Sequence, residues 1–73
     1  MQTRLVYETT EPFKGDMVEA LLKSAGIPYE RKSFGMGPAM TIVYGQGLSS
    51  GIRFFVPEDD FGRARECLEG AGF

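Results

Sequence analysis

Residues 21–30 read LLKSAGIPYE, and residues 67–73 read CLEGAGF. Leu22, Ala25, Gly26 and Ile27 thus return as Leu68, Ala71, Gly72 and Phe73. The phrase has a physical meaning at the end of a helix. Glycine adopts the left-handed conformation that turns the chain, and the apolar residue after it folds back on the last turn. Two such stops fix the ends of two helices, and so divide the 73 residues into two units of similar grammar.

Each stop closes a helical pattern that follows a strand pattern. In residues 3–8, TRLVYE, Leu5 and Tyr7 alternate with Arg4, Val6 and Glu8, as a half-buried strand requires. Thr10 or Glu11 can cap the helix that follows, and Pro12 suits its first turn. Phe13, Met17, Val18, Leu21, Leu22 and Ala25 then recur at helical spacing, with Gly15 weakening the first turn. Residues 27–33, IPYERKS, read as a strand with Pro28 at its start or on an edge. Residues 51–57, GIRFFVP, are the strongest strand pattern, and Glu58, Asp59 and Asp60 place three acids at the positive end of the last helix. The buried stripe of that helix is Phe61, Ala64, Cys67, Leu68 and Ala71, with Asp59–Arg63 and Arg65–Glu69 as i,i+4 pairs on its wet side.

The segment 34–51, which runs from the end of the second strand pattern to the first residue of the third, holds five of the ten glycines. At its centre AMTIVY, residues 39–44, reads as a short strand or extended piece. The order is therefore β-α-β-β-α, one α+β domain over residues 1–73 on the split β-α-β, ferredoxin-like plan. Two helices cover one face of an antiparallel sheet, and the closing strand is missing or very short. With Leu5, Tyr7, Ile52, Phe54 and Val56 toward the helices, Arg4, Val6, Arg53 and Phe55 face away. Either the 34–50 loop lays Met40, Ile42 or Tyr44 over that open face, or the face is a subunit or ligand surface.

Composition narrows the chemistry. No histidine is present, so the commonest general base and metal ligand is missing. A single cysteine excludes an internal disulfide framework, and its place on an apolar helix stripe reads as a small buried hydrophobe. The net charge is −2, where a nucleic-acid or membrane-docking surface calls for a basic patch. No apolar run approaches the roughly 18 residues a membrane span needs, and the N-terminus lacks a signal-peptide pattern, so the expected location is cytoplasmic.

Three local patterns fail on context. GQGLSSG, residues 45–51, resembles a phosphate-binding glycine loop, but a strand follows it where a helix N-terminus is required. The acids at 58–60 read as a dipole device, not as a metal site. SGIRFFVPE, residues 50–58, meets the RNA-recognition consensus only at Gly51 and Phe54, on a chain of pI about 5.0.

LVYETTEPFKGDMVEALLKSAGIPY and SSGIRFFVPEDDFGRARECLEGAG together resemble the small bacterial family described as prokaryotic signal-transducing proteins. The family pattern is a strand, a turn of the T-x-P-F kind and a helix ending L-x-x-A-G-I. G-I-x-x-x-V-x-x-x-D and a helix rich in A-R follow. Residues 34–48 match it poorly. The resemblance implies a fold similar to the GlnB, or PII, group of ferredoxin-like domains. The selenium/sulfur carrier-like family shares the opening and an S-S-x-C-G-I segment. Here LSSGIRFF, residues 48–55, has no cysteine at that place, so the carrier thiol is absent.

On this reading the chain is a non-enzymatic regulatory or protein-interaction module, with no catalytic residue, metal or cofactor. The contact element is the glycine-rich loop 34–50, whose Phe34, Met36, Met40 and Tyr44 are adaptable apolar groups. Its position corresponds to the effector loop of PII-like proteins. The alternative is small-ligand binding, of a nucleotide or other anion, at a subunit cleft, with Arg31, Lys32 and Arg53 meeting the charge and Phe55 on the open face. Because the first strand would be left as a sheet edge, a homo-oligomer through that edge or the open face is expected. A regulatory protein partner is the second expectation.

Overall fold

The structure, a computed structural model, describes residues 2–35 and 50–73. The expected contact residues Met36, Met40 and Tyr44, and the strand-like 39–44, lie outside the described residues. Strand β1 spans Thr3–Thr9, helix α1 Pro12–Ser24, β2 Glu30–Gly35 and β3 Ser50–Pro57. A 3-10 turn over Glu58–Asp60 leads into helix α2, Phe61–Gly70. The sheet order is β1-β3-β2, with both outer strands antiparallel to β3. β3 is thus inserted between two parallel strands joined through α1, an arrangement consistent with a ferredoxin-like fold.

Both helix stops form as their sequences require. Gly26 has φ 71° and Gly72 φ 93°, and no other described residue has positive φ. Ile27 N–H donates to the Leu22 carbonyl at 3.0 Å and Gly26 N–H to that of Lys23 at 3.1 Å. Phe73 and Gly72 repeat the pair on Leu68 at 2.9 Å and Glu69 at 3.1 Å. These are two Schellman motifs, with the carbonyls left over at each helix end satisfied in the same way. Ile27 is buried in the core, and Phe73 packs edge-on against Tyr7 with ring centres 5.5 Å apart.

The core lies between the helices and one sheet face. Val18 and Leu22 of α1 and Ala64 and Leu68 of α2 pack on Val6, Ile52, Phe54 and Val56, with Ile27 beneath. At α1 the expected stripe is rotated. Phe13 is 60% and Met17 50% exposed, while Gly15, Val18 and Leu22 are buried. The reason is Gly15: a Cβ there would stand 2.7 Å from Ile52 Cδ1, so the missing side chain lets the helix approach the sheet along that side. In α2, Phe61 and Cys67 are half-buried and Ala71 is exposed. Arg63 pairs with Asp60 rather than Asp59, and Arg65–Glu69 forms as expected at 2.9 Å. Helix α1 takes Glu11 as its N-cap residue without a side-chain bond; Thr9 Oγ1 instead accepts from the Glu11 N–H at 3.0 Å.

The largest departure is in β1. Leu5 pairs with Phe55, but Tyr7 pairs with Phe54, so Val6 is an extra residue, a β-bulge. Simple alternation fails there. Val6, expected on the open face, is buried, and Leu5, expected in the core, is 43% exposed on the other side. Tyr7 keeps its helix-side place. Arg4, expected to face away, lies opposite the buried Val56 and sits 3.9 Å over the Phe61 ring at the base of α2.

Glycine has opposite roles in strand and helix, and this is testable. A Cβ on Gly51 would meet the Thr9 carbonyl oxygen at 2.5 Å and the Phe34 ring at 2.6 Å, and backbone cannot retreat cheaply. Gly51→Ala should cost about 1–3 kcal/mol. Gly62→Ala, with nothing within 4 Å of the new methyl, should gain about 0.5 kcal/mol from helix propensity. Urea denaturation followed by circular dichroism checks both; an undiminished midpoint for Gly51→Ala would contradict the packing described.

Candidate functional site

The sheet face turned away from the helices is built from β1, β3 and β2. Cross-strand partners share a face, so the register fixes its rows. Leu5, Phe55 and Glu30 form one row, and Glu8, Arg53 and Lys32 the next. Phe34 lies opposite Gly51, and its ring covers the space that a Cβ at that glycine would need. An aromatic ring over a strand glycine protects backbone that has no side chain of its own.

Charge is threaded through this face. Arg53 Nε donates to Glu8 Oε1 at 2.8 Å, while its guanidinium carbon stands 4.2 Å from the centre of the Phe34 ring. Lys32 Nζ lies 5.5 Å over the Phe55 ring and 3.7 Å from Glu30 Oε1. The side chains of both ion pairs are 43–58% exposed, so each pair contributes at most about 1 kcal/mol. Their larger effect is geometric. The cations lie over aromatic rings, and the row of Glu8, Arg53 and Lys32 runs between the apolar pair Leu5 and Phe55 and the ring of Phe34.

Of the residues expected at the open face or an anion, Lys32, Arg53 and Phe55 are brought together on this face, and Phe34, expected in the glycine-rich loop, lies instead in β2 and joins them. Arg31 does not. It lies opposite the buried Phe54, on the helix side, with its guanidinium 5.8 Å from that ring. Strand alternation accounts for this, because Arg31 and Lys32 are consecutive and must point to opposite faces. Arg31 Nη1 meets Asp16 Oδ1 at 3.1 Å and Glu19 Oε1 at 2.8 Å, and the Tyr29 hydroxyl donates to Glu19 Oε2 at 2.6 Å. The Tyr29 hydrogen bond, reinforced by Arg31, holds the Glu19 carboxyl below its ordinary value of 4.5. The same bond, with burial, pushes the Tyr29 phenol above its ordinary 10.0. Asp16 first and then Glu19 raise Arg31 against the opposing effect of burial. This cluster ties α1 to β2.

Two contacts that sequence pattern does not announce close off other surfaces. Arg65 Nη1 of α2 donates to the Val6 carbonyl at the bulge, 3.3 Å away, and Glu69 steadies the guanidinium. Cys67 Sγ lies 3.8 Å from the Leu21 carbonyl, half-buried at the helix–helix seam. Of the three acids at 58–60, Glu58 meets Arg4 at 3.3 Å and Asp60 meets Arg63 at 2.8 Å. Among the described residues no three potential metal ligands come together, and no helix is long and apolar enough to cross a membrane.

The Glu19–Tyr29 bond sets a pH dependence of known sign. Glu19 is depressed, so its contribution to stability is present above about pH 4.5 and is lost as pH falls through its folded value. Tyr29 is raised, so its contribution is full below about pH 10 and is lost as pH rises through its folded value. Tyr29→Phe removes the chief cause at Glu19. The Glu19 carboxyl should then titrate at higher pH than in the wild type, read from its side-chain carboxyl 13C shift. An unmoved midpoint would show that Tyr29 does not hold the carboxylate.

A family model described as "Putative prokaryotic signal transducing protein" matches residues 3–72, and so takes in β1, the first helix stop, the second as far as Gly72, and the residues of the open face. No curated protein and no solved structure matches the chain. With nearly every residue inside the match, the chain belongs to this family.

Proposed function

We propose that this chain is a non-enzymatic regulatory module of the GlnB-like kind that acts by protein contact through its open sheet face. The glycine-rich segment 34–50, joining the two strands whose Phe34 and Arg53 meet on that face, is the adjoining contact element. One observation carries the reading. Leu5, Phe55 and Phe34 stand on a face that neither helix covers, with the row of Glu8, Arg53 and Lys32 crossing between Phe55 and Phe34 and Glu30 beside Phe55. Large apolar side chains interleaved with charge on an uncovered face suit an interaction surface.

Family membership supports a role in signal transduction, and the split β-α-β order is the plan that PII-like regulators use, which is support by analogy.

A second reading keeps an anionic small ligand, such as a nucleotide phosphate. Lys32 and Arg53 are direct cross-strand partners, so two cations do converge on the open face. Arg31 does not join them, and both carry carboxylate partners that an anion would have to displace.

The two readings separate experimentally. Leu5→Ser with Phe55→Ser should leave the fold intact and abolish the specific partners captured from a bacterial lysate by tagged wild type. An unchanged partner set would remove the open face as the contact surface. In a thermal-shift panel of nucleotides and small anions, a ligand at 100 times its Kd would add about 2.7 kcal/mol of stability. The contact reading expects no such shift.

A further inference from the structure

We propose that the open face binds a second copy of this chain, face to face, about a two-fold axis running along β3. This inference rests on the open face being the contact surface and specifies its occupant.

The argument begins with register. Glu8 and Lys32 both pair with Arg53, one from each side of the central strand. They therefore stand at the same height, on opposite flanks. A half-turn about an axis parallel to β3 exchanges the flanks and keeps the height. Laid on itself in this way, the face sets Glu8 over Lys32 of the second copy and Lys32 over its Glu8. Phe55 meets the second Phe55 at the centre. Arg53 approaches its own symmetry mate, but its Nε is held by Glu8 at 2.8 Å and its guanidinium lies over Phe34, 4.2 Å from the ring centre. The like charges thus enter already partnered.

The charge on the face fits this use. The face carries two acids, Glu8 and Glu30, and two bases, Lys32 and Arg53, on a chain whose net charge is −2. It is neutral, and its Glu8–Arg53–Lys32 row has opposite signs on its two flanks, so that row attracts its own copy where the net-negative remainder of the surface repels. Two sheets packed face to face stand about 10 Å apart, a gap that paired Phe and Leu side chains fill. Edge-to-edge self-pairing through β1 is disfavoured, because the bulge at Val6 bends and twists that strand.

Sedimentation equilibrium tests the proposal. Wild type should be a dimer. Glu8→Lys alone would set a lysine over the second copy's Lys32, and Lys32→Glu alone would set a glutamate over its Glu8. Each variant should weaken its own dimer by about tenfold or more, because like charges face one another across the contact. An equimolar mixture of the two should dimerise again, since every crossing pair is then opposite in sign. Circular dichroism confirms that each variant is folded. A mixture that stays monomeric, beside a dimeric wild type, overturns this pairing. A monomeric wild type overturns the second copy as occupant, whether segment 36–49 or another protein lies on the face. In that case, partner capture that still depends on Leu5 and Phe55 leaves the contact reading standing, and capture indifferent to them removes both.

Discussion

The extra residue at Val6 decides which side of the sheet each part of β1 serves. Before it, Leu5 shares the open face with Phe55; after it, Tyr7 shares the helix face with Phe54. A regular strand could not do both. It would either bury Leu5 and expose Val6, or carry Tyr7 and Thr9 out of the core. The bulge lets β1 give Val6, Tyr7 and Thr9 to the helix side while Leu5 and Glu8 complete the open face. It also leaves the Val6 carbonyl in need of a donor, which Arg65 supplies from α2. A buried or half-buried carbonyl left bare would cost about 1–3 kcal/mol. The same irregularity therefore anchors the second helix to the first strand.

The core that rests on this register is thin. Among the described residues Phe54 is its largest fully buried side chain, supported by Leu22, Leu68, Val18 and Val56. In so small a chain the helices cannot rely on packing alone, and their ends carry much of the definition. The two Schellman stops supply it symmetrically, each taking its carbonyls from the residue at the same place in the motif, Leu22 and Leu68. Those leucines are fully buried, so each stop ties a chain reversal directly to a core side chain. The Tyr29–Glu19–Arg31 cluster then fixes α1 to β2 from the rim.

What could be read from sequence follows from the range of the physics involved. The helix stops were legible because glycine followed by an apolar residue is a local device, complete within about two helical turns. The strands β1 and β3 and both helices were legible because periodicity is local too. The face of each β1 residue was not. A bulge arises from pairing between strands far apart in the chain, and TRLVYE alternates as well with one as without. The rotation of α1 was hidden for a related reason. Phe13 and Met17 look like core by spacing, and only the close approach of Gly15 to Ile52 turns them to solvent. At the site, Phe34, Lys32, Arg53 and Phe55 were within reach of alternation. So was the separation of Arg31 from Lys32, because consecutive strand residues must part, and grouping the two as one anion site overlooks it. Leu5 and Glu8 were out of reach because they depend on the bulge.

A three-stranded sheet with helices on one side presents two kinds of surface for assembly, its edges, β1 and β2, and a face. In β1 one strand bears on both. Pairing at an edge favours a regular strand, and the bulge bends β1 at its midpoint. Contact through the face needs apolar side chains raised above the sheet, and the same bulge puts Leu5 there beside Phe55. One irregularity thus weakens the indiscriminate mode, in which any strand can bind, and strengthens the discriminating one, in which side chains choose the partner. Backbone pairing carries little partner information, and a face of mixed apolar and charged side chains carries much.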